Sequence, residues 1–338
     1  MKKDQAVSSI RMISTIMVVI LHIFQQLEKT LPEIHIATDW LNLGLVLFFC
    51  ISGFLYSRRI NVREGGRWFL HRYKEICLPS LITVILTIFI YSALYGFPGI
   101  QISLYSIASG LGFEPFVPDS WMFVQYWFIC YILICYLSLL LLQRLDVKKM
   151  SSLSFWMMLI LATVVFQTLG FLIGKTGIPT LSWGVLLRFF LVYLLYKKYD
   201  GTDTQRKIFI WLTLISIPAI ATTCIVRYRM QLDGVYAAIG ELLFIYTQTL
   251  VGSVLFYWMH QFFTKYRLPK ALLKISDRYS YPVFLTHCLF IGYKTSMIFR
   301  FEHISIGVIV SIGCTAIASV LLCRIIDASK KVQLSKRT

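Results

Sequence analysis

Apolar stretches of about 20 residues recur from one end of the chain to the other, separated by short segments that hold most of its charge. A run of that length crosses a bilayer core as a helix, because backbone polar groups there must be bonded within the segment. Candidate spans fall near 9–27, 42–57, 76–97, 122–143, 153–173, 181–197, 207–226, 235–259, 281–298 and 305–326. The pattern predicts an all-α integral membrane protein, a bundle of about ten transmembrane helices with no separate soluble domain, so that residues 1–338 form a single transmembrane domain. The 42–57 run is short. The 235–259 run is unusually polar, with Glu241, Tyr246 and Gln248 inside it.

Composition agrees: 57% of the residues are hydrophobic and only 14% charged, against about a quarter charged in soluble domains. The basic start "MKK" before an apolar run imitates a signal peptide, but no small-residue cleavage site follows and Arg11 interrupts it, so an uncleaved first span is expected. The net charge of +17 follows the membrane orientation rule. With the N-terminus in the cytoplasm, 26 of the 33 Lys and Arg residues fall on the cytoplasmic side, six lie outside and Arg188 sits in a span. Both termini are then cytoplasmic, and the 98–121 loop, with Glu114 and Asp119 and no basic residue, is external. This spread leaves no compact basic surface for nucleic acid. Eight cysteines form no C-x-x-C pair and lie almost entirely in apolar runs, which indicates neither a disulfide framework nor a zinc site. No metal is expected.

The first span, "SIRMISTIMVVILHIFQQ", carries two ionisable groups in an apolar helix. Arg11 and His22 are eleven residues apart, about three turns, and so share one face with roughly 16 Å of rise between them. Gln25 and Gln26 follow on the same side, within hydrogen-bond reach of the ring. Arg11 could simply snorkel to headgroups. A histidine deep in a span marks function by default, and imidazole takes and returns a proton near neutral pH.

These residues, with three further stretches, resemble the acyltransferase-3 family of membrane O-acyltransferases that modify surface polysaccharides and related acceptors. "LGLVLFFCISGFLYSRR" (43–59) is similar to the family's second span, "FLHRYKEICLP" (69–79) to its basic entry into the third, and "KISDRYSYPVFLTHCLF" (274–290) to its late Ser-Tyr segment ending in histidine. "QYWFICYILICYL" (125–137) fits the Trp-bearing fourth span less specifically. The resemblance implies transfer of an acyl group, acetyl first among the candidates, from cytoplasmic acyl-CoA to a hydroxyl of a surface or lipid-linked carbohydrate. His22 corresponds to the family's essential histidine, as base or acyl carrier, and Arg11 to the arginine associated with the donor. The chain departs from the family at Val46, where many members carry an aspartate.

Arg72 and Lys74 match the basic signature and would grip CoA phosphates, although the orientation rule alone also puts basic residues there. Glu241 would pair with Arg188 or stand in for the missing acid behind His22, and His287 would contact donor or acceptor. Acyl-CoA is then a co-substrate rather than a resident cofactor, and the other partners are membrane lipids and the saccharide acceptor. The expected location is the plasma membrane. Ten spans with buried ionisable residues would also suit a secondary transporter or flippase for lipid-linked saccharides, but the halves show no persuasive internal repeat. A third reading is an accessory membrane domain that has lost activity, for which Val46 is the only hint.

Overall fold

The computed structural model describes residues 4–58, 65–117, 124–174, 181–230, 233–292 and 296–335. Lys2, Lys3, Arg59, Arg63, Asp119, Lys175, Lys294, Lys336 and Arg337, all part of the orientation argument, lie outside the described residues.

The described residues are helical throughout, joined by turns and short irregular links, with no strand among them. In chain order the α-helices are α1 (Gln5–Leu27), α2 (His35–Leu41), α3 (Leu43–Ser57), α4 (Gly65–Tyr95), α5 (Ile100–Ala108) and α6 (Trp127–Leu142). They continue with α7 (Ser152–Gly174), α8 (Trp183–Tyr199), α9 (Asp203–Tyr228), α10 (Gly234–Lys265), α11 (Lys270–Phe290) and α12 (Ile304–Ser335). Each expected span coincides with a helix. Seven runs are long and apolar enough to cross a membrane: Gln5–Leu27, Pro32–Ser57, Gly65–Ala93, Ser152–Gly174, Asp203–Tyr228, Tyr236–Lys265 and Ile304–Ala328. This is an all-α integral membrane protein. The other three expected spans are α6, with 16 residues, α8, with 17, and α11, whose first half is polar. α11 also corrects a boundary: the helix begins at Lys270, not near 281, and ends at Phe290, not near 298. Lysine and arginine are good helix formers, so Lys270, Lys274 and Arg278 belong to the helix although they are too polar to be read as span.

The helices group into two compact units, each built from separated stretches of chain. The first takes Met1–Ile10, Leu43–Gly65 and Ile134–Arg267. Glycines let its helix backbones meet closely, as is common where no water drives association. A Cβ on Gly53 of α3 would stand 2.4 Å from the Phe189 carbonyl oxygen of α8, and one on Gly252 of α10 would stand 2.3 Å from Val46 Cγ1. The start of α1 is fixed here too. Asp4 caps it by accepting from the Ala6 and Val7 backbone N–H groups, and its other oxygen lies 3.3 Å from His260 Nε2. The hydrogen bond with His260 holds the Asp4 carboxyl below its ordinary pKa.

The second unit takes Arg11–Asn42, Gly66–Leu133 and Leu268–Thr338. α11 packs on α12, where the Thr286 and Ser319 hydroxyls are 2.8 Å apart. Gly307 of α12 lies against the turn at Ile298, since a Cβ there would meet the Ile298 carbonyl oxygen at 2.0 Å. Within the segment expected as an external loop, 98–121, residues 100–116 form helix rather than loop. They return along α4: Gly110 lies against Leu81 and Val84, and the Leu111 carbonyl accepts from Tyr73 Oη (3.1 Å) and Cys77 Sγ (3.6 Å). Tyr95 to Cys77 is eighteen residues, roughly 27 Å of helix, so the segment runs back beside most of α4. Its sequence allows this, because "QISLYSIASGLGF" carries no charge and its glycines permit close approach. Gly112 holds φ +91°, a left-handed conformation open to glycine at little cost.

Candidate active site

Two contacts set α1 beside α11 in the second unit. Arg11 Nη1 donates to Asp277 Oδ1 at 2.8 Å, and the rings of His22 and His287 lie 4.9 Å apart at 42°. Eleven residues separate the two contacts on α1 and ten on α11, about 16 and 15 Å of rise. The helices therefore run side by side in the same direction, in a register that presents an ion pair at one level and an imidazole pair at the other.

The hydrogen bonds of the rings define their protons. His22 is buried, and its Nδ1 lies 2.6 Å from Gln25 Oε1. An amide oxygen only accepts, so Nδ1 carries the hydrogen and Nε2 keeps a lone pair. His287, fully buried, directs Nδ1 at the Val283 carbonyl at 3.0 Å. Its Nε2 is thereby left to accept from the Cys288 thiol, whose Sγ is 3.2 Å away. Orientation of a working imidazole through its second nitrogen is the arrangement that acid–base chemistry needs. Although the sequence spacings suggest no metal motif, the fold brings ligand atoms of His22, His287 and Cys288 within 4.8 Å of one another.

Beyond this group, α11 meets α4 where Tyr281 Oη donates to the Ile76 carbonyl at 2.6 Å. Tyr126, fully buried at the entrance to α6, turns its hydroxyl toward the Leu285 carbonyl (3.5 Å), one turn before Cys288. These groups make the C-terminal half of α11 a polar stretch inside an apolar fold.

The remaining candidates are scattered. Arg72 is paired with Glu75 one turn along α4, and Lys74 is exposed. Among the described residues no hydrogen bond or ion pair joins Arg11, Arg72 and Lys74 to one another or to the histidines. Glu241, expected against Arg188 and as the acid behind His22, is corrected in its partner. It stands exposed in the N-terminal part of α10 and pairs with Arg227, which the last turn of α9 brings to it. Arg188 is buried and donates through Nη2 to Gln248 Oε1 at 3.0 Å. Val46, at the position where the related pattern has an aspartate, is fully buried against Gly252 and serves the α3–α10 packing. Asp277 and Cys288 were not singled out from the sequence. The signal for Asp277 was its place as a lone acid among Lys270, Lys274 and Arg278, and the signal for Cys288 was adjacency to His287.

A family model for an acyltransferase domain, Acyl_transf_3, matches residues 4–327, nearly the whole chain. The chain belongs to this acyltransferase family. No curated protein and no solved structure matches it. The matched stretch of the acyltransferase takes in most of both units and each of the candidate residues, with His22, His287 and Cys288 gathered at one point of it.

Proposed function

We propose that this acyltransferase moves an acyl group, acetyl in the first instance, from cytoplasmic acyl-CoA to a hydroxyl of a surface or lipid-linked carbohydrate, within the plasma membrane and with both termini in the cytoplasm. The observation that carries this reading is the buried His22 ring, its Nδ1–H fixed on Gln25 and its Nε2 left as a base. His22 Nε2 removes the proton of the acceptor hydroxyl, and the alkoxide attacks the acyl carbonyl. Gln25 does for the ring what an aspartate does elsewhere: it selects the tautomer and the direction of the lone pair. No acid at position 46 is then required, and Glu241 plays no part in orienting the ring.

Arg11, with Arg72 and Lys74, receives the phosphates of CoA. The 16 Å of helix between Arg11 and His22 is of the order of an extended pantetheine arm, which supports phosphates at one level and thioester at the other. Asp277 holds the Arg11 guanidinium in place until phosphate competes for it.

The test is transfer of label from acyl-CoA by purified variants matched for monodispersity and melting temperature. His22→Gln keeps a polar side chain but no base, and turnover should fall by about 10²–10⁴-fold. Near wild-type turnover in that variant would leave the histidine a packing residue and end this reading.

A further inference from the structure

The thiol of Cys288 has a feature that other cysteines with a hydrogen bond lack. Cys50, Cys77 and Cys323 donate to backbone carbonyls, of Arg188, Leu111 and Arg278, which cannot take a proton. Cys288 instead meets the Nε2 of His287, whose Nδ1–H is held on the Val283 carbonyl. Sulfur, imidazole and carbonyl in that order are a nucleophile, a base and the group that orients the base, the arrangement by which a buried thiol is activated. The His22 ring is 4.9 Å from that of His287, so a second base stands beside the first. A further buried polar group lies on the segment that approaches α11. Gln125, adjacent in sequence to Tyr126, is buried with neither amide atom bonded among the described residues, an arrangement that native proteins seldom leave without a ligand or water to satisfy it.

Resting on the acyl-transfer reading above, we propose that Cys288 is the acyl carrier: the acyl group passes from acyl-CoA to the Cys288 sulfur and from there to the acceptor hydroxyl. In the first half, the thiol proton goes to His287 Nε2 and the sulfur attacks the thioester carbonyl. The bond to the CoA sulfur breaks, and His287 returns the proton to the departing CoA thiolate. One thioester replaces another, so no energy source or redox partner is needed. In the second half, His22 Nε2 takes the proton of the acceptor hydroxyl and the oxygen attacks the Cys288 thioester. The carbon–sulfur bond breaks, and the sulfur recovers a proton from the imidazolium. The two histidines thus divide the work, His287 serving the arrival of the acyl group and His22 its departure.

The experiment uses the full-length protein in lipid nanodiscs with labelled acetyl-CoA and no acceptor, followed by denaturation and peptide mass spectrometry. One acetyl group is expected on the peptide containing Cys288, released by neutral hydroxylamine. His22→Gln should still load and should accumulate label, because only discharge is blocked. Cys288→Ser should carry no hydroxylamine-labile label and should lose turnover by 100-fold or more. Turnover of wild-type protein without label on Cys288, label on His22 instead, or full turnover by Cys288→Ser would each overturn the carrier while leaving acyl transfer intact. Absence of acyl-CoA turnover in the wild type would overturn acyl transfer itself, and the carrier with it. Should Cys288→Ser fail to fold, site assignment of the label in wild-type protein decides alone.

Discussion

At the scale of single residues, the proposed chemistry rests on how each imidazole nitrogen is spoken for. In the proposed mechanism the Gln25 amide on His22 Nδ1 is a positioning contact, so its loss should reduce kcat and leave donor binding alone. Gln25→Leu is expected to lower kcat about tenfold or more with the KM for acyl-CoA unchanged, and Gln25→Glu should restore most of it, since a carboxylate accepts the same hydrogen bond. Steady-state kinetics that split kcat from KM check this, and equal losses in both variants would argue against positioning. Arg11 belongs to the other end of the α1–α11 pair. Arg11→Ala should raise the KM for acyl-CoA with little change in kcat at saturating donor, as removal of a ground-state binding contact does. Titration calorimetry with CoA gives an independent check. His22 and Arg11 were legible in the sequence because an ionisable residue in an apolar helix stands out against its neighbours. Asp277 and Cys288 were not, since one sits in a polar stretch and the other passes for a small hydrophobe.

At the scale of elements, glycine decides where helices touch. Gly307 has the Ile298 carbonyl oxygen where a side chain would begin, and both are backbone-defined positions with little room to yield. Gly307→Ala should therefore destabilise the acyltransferase by about 1–3 kcal/mol through overpacking, seen as a lower midpoint of thermal unfolding in detergent. An unchanged midpoint would mean that the turn at Ile298 relaxes freely. The helices themselves were legible from apolar run length. Their limits were legible only where charge and span coincide: α11 extends well into a basic stretch, and α4 begins at Gly65, eleven residues before the apolar run suggests. The return of residues 100–116 along α4 could not be read from hydropathy, because the uncharged stretch 101–113, with its glycines and serines, fits a surface loop as well as a buried one.

At the scale of the whole molecule, the orientation rests on the distribution of basic residues rather than on any contact. Reporter fusions after Pro98 and after Lys149 should report opposite sides of the membrane, Pro98 outside and Lys149 in the cytoplasm. The same side for both would break the alternation on which both cytoplasmic termini depend. What no run of sequence could disclose is that residues far apart in the chain complete one another. Arg11 finds Asp277 and His22 finds His287 across more than 260 positions, and periodicity carries no information over such a distance.

That separation has a consequence during synthesis. The ribosome adds about 5–20 residues per second, so α1 waits on the order of tens of seconds before α11 emerges. During that interval the arginine and histidine of α1 lie in the bilayer without the aspartate and the ring that later face them. The nascent first span therefore lacks two of the contacts that hold it in the finished protein until α11 has been made. A message cut short before α11 therefore leaves Arg11 and His22 in an apolar helix without the counterparts that the complete chain supplies.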